Sequence, residues 1–259
     1  MGFLDGRTAL VTGGTRGIGR ACAEALHAEG ANVVINGRSV EKGAQALAEM
    51  CGGDRLHFLA ADVTTGPACY GLVDDTIVRY GQIDILVNNA GGSGGSAVLW
   101  EMDEAEWHRV LNWNLNHPMW TSRRAIPDML KRGWGRIINI SSIYGKTSLP
   151  TVSHYVTAKH GLNGLTKALA AETGTLGIRV NAICPGFVRT DIFESEGPVT
   201  AAAMGMEFED WVNAVTQIAM TKTVNEASQV GAMCAFLCSV AGDGITGSMF
   251  NVDGGSTPY

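Results

Sequence analysis

The segment Thr8-Ala-Leu-Val-Thr-Gly-Gly-Thr-Arg-Gly-Ile-Gly19 decides the predicted fold, because a short apolar run passes directly into a glycine-rich loop. An Ala-rich, amphipathic stretch follows from Arg20 to Glu29, and Asn32 to Ile35 is a second apolar run. The order strand, glycine loop, helix, strand within about thirty residues is that of a parallel βαβ unit. We therefore expect an α/β protein built on a parallel sheet.

The glycine loop is a candidate phosphate site. Glycines allow the backbone to approach a ligand closely. The start of the following helix presents unpaired N–H groups and the positive end of the helix dipole to a pyrophosphate. A tight strand-to-helix turn without a ligand is the alternative, but the number of glycines placed here favours a nucleotide site.

The end of the second predicted strand bears on the kind of dinucleotide. An acidic residue there would accept a hydrogen bond from the ribose 2′-hydroxyl of NAD, and this chain has none. Arg38 stands at that place instead, and Arg16 lies within the glycine loop. Two guanidiniums suit the 2′-phosphate of NADP. NADP is therefore the preferred cofactor, with NAD as the alternative if both arginines are only solvated.

Five more apolar runs continue the alternation of strands and helices, at residues 56–61, 83–87, 137–140, 178–183 and 245–252. The fold class is α/β: a single-domain Rossmann fold over residues 1–259, with a doubly wound, seven-stranded parallel sheet and helices on both faces. The long helical region from Glu101 to Lys131 contains Pro118, which predicts a distortion near Asn114. Residues from about 191 to about 223 are less regular and rich in Met and aromatic side chains, which suits a substrate lid.

Composition excludes several function classes for this chain of 259 residues, of which 46% are apolar and 17% charged. The net charge of -6 argues against nucleic acid or an anionic membrane as the main partner. The six cysteines form no CxxC pair and the six histidines no metal-binding motif, so neither a disulfide framework nor a metal is expected. No signal sequence and no membrane-spanning run is recognisable, and we expect a cytoplasmic protein.

A second segment carries the candidate chemistry. Tyr155 and Lys159 are four residues apart on a predicted helix, so they share one face. An ammonium beside a phenol favours the phenolate and lowers the phenol pKa towards neutrality. Ser142 ends a strand-like run and can bring a hydroxyl to the same place. Such a trio can polarise a carbonyl and deliver a proton to its oxygen, although a Tyr–Lys pair alone is more often a surface feature.

Taken together, the chain from Gly6 to Gly255 resembles the short-chain dehydrogenase/reductase family. The spacing of the glycines differs from the GxGxxG of longer Rossmann dehydrogenases. The ordered set of matching motifs is specific: Thr12-Gly13-x-x-x-Gly17-Ile18-Gly19, Asp62-Val63, Asn88-Asn89-Ala90-Gly91, Asn114, Ser142, Tyr155-x-x-x-Lys159 and Pro185-Gly186-x-x-x-Thr190.

The resemblance implies a role for each catalytic residue. Tyr155 would be the general acid in reduction and the general base in oxidation. Lys159 would hold the ribose hydroxyls and lower the pKa of Tyr155, and Ser142 would bind the reacting oxygen. Asn114 would anchor a water molecule that links Lys159 to bulk solvent. The family usually forms homotetramers or homodimers, through two long helices and the last strand.

The resemblance also implies the cofactor contacts. The glycine loop would hold the pyrophosphate, Asp62 and Val63 the adenine, and Val188 and Thr190 the carboxamide. Asn89 to Gly91 would form the floor beneath the ribose and nicotinamide. The full expected set is Gly13, Thr15, Arg16, Gly17, Ile18, Gly19, Arg38, Asp62, Val63, Asn89, Ala90, Gly91, Tyr155, Lys159, Pro185, Gly186, Val188 and Thr190.

The expected substrate contacts are Ser142, Tyr144, Tyr155 and Phe187, within a mostly apolar wall. This wall predicts a free, small to medium, weakly polar ketone or secondary alcohol. A charged acid such as acetoacetate would need a cation, for which only Lys146 and His154 are near in sequence, and both are expected to be structural or exposed.

A 3-oxoacyl-(acyl-carrier-protein) reductase or a polyketide ketoreductase is the alternative activity. The net negative charge, Leu176 and the Gly133-Trp134 pair disfavour docking of an acidic carrier protein, while Arg124, Lys131 and Arg132 keep it open. Two non-enzymatic alternatives remain: a nicotinamide-binding redox sensor and a structural subunit. The intact Ser-Tyr-Lys set counts against the sensor.

Overall fold

The computed structural model describes residues 2–257, except for the side chains at positions 192, 196, 199 and 203. Its strands are β1 (Thr8–Val11), β2 (Asn32–Gly37), β3 (Leu56–Ala60), β4 (Ile85–Asn88), β5 (Gly135–Ile140), β6 (Ile178–Pro185), β7 (Val188–Arg189), β8 (Asn225–Glu226) and β9 (Met249–Val252). Its α-helices are α1 (Gly17–Ala28), α2 (Val40–Met50), α3 (Gly66–Tyr80), α4 (Glu104–Leu111), α5 (His117–Arg132), α6 (Ser153–Thr173), α7 (Asp191–Ala203), α8 (Phe208–Ile218) and α9 (Ala227–Cys238).

Seven strands form one parallel sheet in the order β3-β2-β1-β4-β5-β6-β9, as the sequence predicts. Alternate side chains of a strand point to opposite faces, so Val33 and Ile35 enter one core cluster and Val34 another. The first cluster includes residues of α1 and α9, and the second includes residues of α3 and α5. Helices therefore cover both faces of the sheet.

The strand order reverses between β1 and β4. The strands β2 and β3 are added on one side of β1, and the later strands of the sheet are added on the other side. In open parallel sheets, ligands bind beyond the carboxyl ends of the strands at such a reversal. The glycine loop follows β1 and the Asn88-Asn89-Ala90-Gly91 segment follows β4, so both lie at this edge.

The predicted distortion of the long helical region is confirmed. The helix α4 ends at Leu111, a π-helical turn spans Asn112–Asn116, and α5 begins at His117. Pro118 has no N–H, so it cannot donate to the carbonyl of Asn114 as a regular α-helix requires. Asn114 therefore lies within the π-helical turn, where the regular α-helical hydrogen bonds are interrupted.

Two expectations for the last third of the chain need correction. The last strand begins at Met249 rather than Ile245, because Gly247 has a φ of +71° and its N–H donates to Val180 before strand pairing starts. The region from 191 to 223, expected to be less regular, holds the helices α7 and α8, in which Phe193, Trp211 and Val215 form a small apolar cluster. Within residues 2–257, no helix has the length and apolar character needed to span a membrane.

Candidate active site

The loop between β1 and α1 leaves the start of α1 open to an anion. Arg16 precedes the helix in an extended conformation and makes no capping hydrogen bond, and the first turn contains no acidic residue. Gly13 and Gly17 have positive φ values of +63° and +54°. A Cβ atom at Gly19 would lie 2.3 Å from both Asn89 Nδ2 and the Gly13 carbonyl oxygen, so only glycine fits. This backbone geometry is compatible with the predicted pyrophosphate site.

Asn89 ties the ends of β1 and β4 together. Its Nδ2 donates to the carbonyls of Thr12 at 2.9 Å and Gly13 at 3.1 Å. In return, the hydroxyl of Thr12 accepts from the backbone N–H of Asn89 at 3.0 Å and of Ala90 at 3.1 Å. The role of Thr12 is not visible in the sequence, because its partner lies 77 residues away and only strand order brings the two together.

The two predicted arginines lie beyond the carboxyl ends of β1 and β2, at the rim of the crevice expected to hold the dinucleotide. Arg16 and Arg38 are exposed, and within residues 2–257 neither guanidinium makes a hydrogen bond or an ion pair. Thr15 lies beside the end of β2, since a Cβ atom at Gly37 would be 3.0 Å from its Cγ2. Asp62 uses one carboxylate oxygen to accept from the N–H and hydroxyl of Thr64. These side chains surround the place expected for an adenosine.

Most of the remaining predicted cofactor residues lie in or next to β6 and β7. Thr190 approaches the glycine loop, since a Cβ atom at Gly17 would be 3.3 Å from its Cγ2, and its hydroxyl caps α7 by accepting from Phe193 N–H. Gly186 packs directly on the backbone of Asp253. The side chain of Val188 lies in the first core cluster, and that of Ile18, which is half-buried, packs against it.

Ser142, Tyr155 and Lys159 converge at the same sheet edge. Lys159 is buried on α6, and its Nζ donates to the carbonyl of Ile140 at 2.8 Å and lies 5.5 Å from the centre of the Tyr155 ring. Ser142 is also buried, and its hydroxyl accepts from Tyr144 N–H at 3.1 Å. The Ser142 side chain is also close enough to the Tyr155 phenol to lower its pKa. The predicted trio is therefore assembled in one place.

Burial shifts the pKa values of two members of this trio. Burial raises the pKa of Tyr155 above its ordinary value, and the hydrogen bond with Ser142 opposes that rise only in part. Burial also lowers the pKa of Lys159 to about 8. Burial therefore sets the direction of the Tyr155 pKa in the protein by itself, and the expected lowering by Lys159 stays a prediction.

Asn114 connects the π-helical turn to the segment after β4. Its Nδ2 donates to the carbonyls of Gly92 at 2.9 Å and Val110 at 3.0 Å, and its Oδ1 accepts from Gly92 N–H at 3.2 Å. A Cβ atom at Gly91 would lie 2.5 Å from Asn114 Oδ1 and 3.5 Å from Lys159 Nζ. Asn114, Gly91 and Lys159 are therefore neighbours, as the predicted water link requires.

A family model described as short chain dehydrogenase matches residues 7–200. The chain belongs to this family. D-beta-hydroxybutyrate dehydrogenase of Rhizobium meliloti (strain 1021) is 38% identical over 256 residues, covering 97% of this chain and 98% of that protein. The 3-oxoacyl-(acyl-carrier-protein) reductase FabG of Chlamydia trachomatis is 37% identical over 259 residues, with 98% of each chain covered. The chain is thus an oxidoreductase that acts on CH–OH and C=O groups with a nicotinamide cofactor.

Solved structures of the same family agree with this fold. A variant of actinorhodin polyketide ketoreductase, determined with NADPH, has a TM-score of 0.94 and 34% identity, with 100% of both chains covered. A putative gluconate dehydrogenase from Agrobacterium tumefaciens has a TM-score of 0.89 and 34% identity, covering 98% of this chain and 96% of that one.

The two aromatic residues expected at the substrate of this short-chain dehydrogenase have different surroundings. Tyr144 is half-buried, and this burial raises its pKa. Its phenol in turn helps to raise the pKa of Tyr155. Phe187 lies edge-on to Trp211 of α8, with 6.0 Å between the ring centres. The helices α7 and α8 therefore pack against a residue predicted to contact the substrate.

Proposed function

We propose that this short-chain dehydrogenase transfers hydride between NADP and a free, small to medium, weakly polar ketone or secondary alcohol. The observation that carries the proposal is the convergence of Ser142, Tyr155 and Lys159 beside the crevice at the sheet reversal. A bound nicotinamide supplies the hydride that adds to the carbonyl carbon. In the protein, Ser142 and Tyr155 bind the carbonyl oxygen, and Tyr155 gives it a proton.

The other predicted site residues support this chemistry. Lys159 is held by the Ile140 carbonyl with two of its three N–H groups left for other partners, which suits binding of ribose hydroxyls. Asn114 lies next to Gly91 and Lys159, where a water molecule can relay a proton from solvent to replace the one that Tyr155 gives to the carbonyl oxygen. The fit of the crevice to a dinucleotide rests on the uncapped start of α1 and the glycine positions that no Cβ atom can occupy.

NADP is the preferred cofactor in this proposal. The exposed guanidiniums of Arg16 and Arg38, unpaired within the described residues, are available for a 2′-phosphate. The similar polyketide ketoreductase was determined with NADPH, which points the same way.

The two basic side chains considered for binding a charged substrate already have partners within the protein. Lys146 donates to Asn251 Oδ1 at 2.5 Å and to the Met249 carbonyl at 3.1 Å. The ring of His154 is buried and accepts the N–H of Tyr155 at 2.9 Å. These contacts favour an uncharged ketone over a 3-oxoacid, despite the similarity to a hydroxybutyrate dehydrogenase.

Docking of an acidic carrier protein is also disfavoured. Arg132 donates to Asp128 and the Ile83 carbonyl and pairs with buried Asp84. Arg124 pairs with Asp74. A carrier-protein reductase remains the second candidate, because a FabG protein is 37% identical to this chain.

Further parts of the proposal concern assembly and the lid. A homotetramer or homodimer is supported by the edge strand β9, whose residues are half-buried, and by the exposed Phe236 and Val240 near it in sequence. The helices α7 and α8, packed on Phe187, are proposed as the lid of a single domain. The free cysteines suit the cytoplasm.

The proposal is tested with purified protein and a panel of substrates assayed with NADPH and NADH. Uncharged ketones should have the highest kcat/KM, above acetoacetate and 3-oxoacyl carrier protein. Tyr155→Phe should lower kcat by about a hundredfold or more while NADPH still binds. A faster reaction with carrier-bound substrates would overturn the substrate class, and full activity of Tyr155→Phe would overturn the mechanism.

A further inference from the structure

The residues from Gly92 to Ala97, here called the roof segment, connect the catalytic lysine to the loop before the catalytic tyrosine. At one end, both backbone polar groups of Gly92 bond to the side chain of Asn114. A Cβ atom at Gly92 would lie 2.8 Å from the ring of Trp113, so the backbone rests directly on that ring. This end is adjacent to Gly91 and therefore to Lys159.

The other end of the roof segment is tied to Thr151, four residues before Tyr155. Ser96 Oγ donates to Thr151 Oγ1 at 2.7 Å, and Ala97 N–H donates to the Thr151 carbonyl at 2.9 Å. Thr151 has a φ of +68°, a left-handed conformation that a β-branched residue adopts only under constraint. The two ends of the roof segment are thus held near Lys159 and at the loop before α6.

The middle of the roof segment is held by Glu106 of α4. Gly95 N–H donates to Glu106 Oε1 at 2.7 Å. Gly94 has a φ of +70°, and a Cβ atom there would lie 2.4 Å from the same oxygen and 2.6 Å from Val110 Cγ2. The positive φ and the missing side chain of Gly94 allow the backbone to reach the carboxylate.

The Glu106 carboxylate is itself held in place and is ionised at neutral pH. Arg109 donates to it through Nε and Nη2, both at 2.6 Å. The Arg109 hydrogen bonds hold the pKa of Glu106 at about 2, with a further contribution from Gly95 N–H and a smaller one from His154. The guanidinium of Arg109 lies 5.7 Å from the centre of the Trp113 ring. An oriented, ionised acceptor holds an N–H donor more strongly than a neutral one.

We propose that Glu106 is a positioning residue, which holds the roof segment at a set distance from Tyr155 and thereby selects the carbonyl face that the substrate presents. The inference rests on the proposed function, since it assumes that a ketone binds between the roof segment and Tyr155. Asn114 and Thr151 fix the ends of the segment, and Glu106 fixes the glycine-rich stretch between them. Without the Glu106 carboxylate, the backbone at Gly94 and Gly95 can adopt many conformations. The substrate could then bind beside the roof segment in more than one orientation.

The test compares Glu106→Ala, Glu106→Gln and the matched control Glu104→Gln, which changes an exposed residue of the same helix. For Glu106→Ala, we expect the KM for a prochiral ketone to rise by about tenfold, with loss of enantiomeric purity in the alcohol and a smaller change in kcat. Glu106→Gln keeps an acceptor for Gly95 N–H and should recover most of the selectivity. Binding of NADPH should be unchanged in all three variants.

An unchanged KM and enantiomeric ratio in Glu106→Ala would overturn the inference. So would equal losses in ketone and NADPH binding, because they would indicate a general structural defect. Hydrogen exchange provides a readout without turnover: amides of residues 92–97 should exchange faster in Glu106→Ala than in the wild type. If the wild type reduces no ketone, the proposed function fails. Unchanged hydrogen exchange of residues 92–97 in Glu106→Ala would instead show that Glu106 does not hold the roof segment.

Discussion

The Nζ atom of Lys159 lies 5.5 Å from the centre of the Tyr155 ring and donates to the carbonyl of Ile140 rather than to the phenol. Burial raises the pKa of Tyr155 and lowers that of Lys159 to about 8. At neutral pH the phenol therefore keeps its proton and the lysine is mostly charged. In this state Tyr155 carries the proton that the proposed mechanism gives to a carbonyl oxygen.

The two reaction directions should therefore depend differently on pH. Ketone reduction needs the protonated phenol, so its kcat/KM should be nearly constant from about pH 6 to about pH 7.5. Alcohol oxidation needs the phenolate, so its kcat/KM should rise steadily with pH as deprotonated Tyr155 becomes more abundant. Initial rates in both directions at constant ionic strength measure this. An oxidation rate that does not vary between about pH 6 and about pH 9 would contradict the raised pKa.

Arg38→Ala should weaken the binding of NADPH but not that of NADH. A hydrogen bond to a charged group contributes about 1.5–3 kcal/mol, so the KM for NADPH should rise by about tenfold or more. The KM for NADH should hardly change, because NADH carries no 2′-phosphate. Arg123→Ala removes another exposed arginine, far along the chain on α5, and serves as the control. Equal effects on both cofactors would show that Arg38 does not read the phosphate.

His117 should make the protein sensitive to acid. It is fully buried, its Nδ1–H donates to the Trp113 carbonyl at 3.2 Å, and burial lowers its pKa to about 3. The unfolded chain binds a proton near pH 6.5 and the folded protein does not, so the free energy of unfolding falls as pH decreases from about 6.5 towards about 3. The total effect is up to about 5 kcal/mol.

His117→Gln should reduce this pH dependence. Urea unfolding between about pH 4.5 and about pH 7.5 should give a slope smaller by up to about 1.4 kcal/mol per pH unit in the variant. His160→Gln, which changes an exposed histidine of α6, should leave the slope nearly as in the wild type. The same slope in both variants would mean that His117 is not the acid-sensitive group.

Trp134 should stabilise the fold without affecting catalysis. Its ring lies between two guanidiniums, with the Cζ of Arg7 at 3.9 Å and that of Arg136 at 4.3 Å from the ring centre. It precedes β5, at the end of the sheet opposite to the catalytic edge. Trp134→Ala should lower the free energy of unfolding by about 2–3 kcal/mol, through lost cation–π contacts and lost apolar packing.

The matched control for this change is Trp100→Ala, since the Trp100 side chain is 83% exposed and should contribute little to stability. Denaturant unfolding measures both variants, and kcat of the folded Trp134→Ala protein should equal that of the wild type. A loss of activity at unchanged stability would show that Trp134 influences the distant site.

Features with local causes could be predicted from the sequence. The glycine loop and the distortion near Asn114 follow from what glycine and Pro118 permit in a backbone, and the structure has both. The apolar runs predicted all seven strands of the sheet, because buried parallel strands need them. The start of β9 was missed by four residues, because a turn at Gly247 interrupts a run that is apolar only in part.

The amino-acid sequence by itself determined which chemical groups are present and at which spacing along the chain. These are the Ser-Tyr-Lys trio, the two rim arginines and the glycines that a tight loop requires. Only the tertiary structure decided their protonation and their partners. The rise in the Tyr155 pKa comes from desolvation, which depends on everything packed around the ring. Likewise, Thr12 meets Asn89 only because β1 and β4 are neighbours in the sheet, and Glu106 meets Gly95 only because the roof segment folds back onto α4.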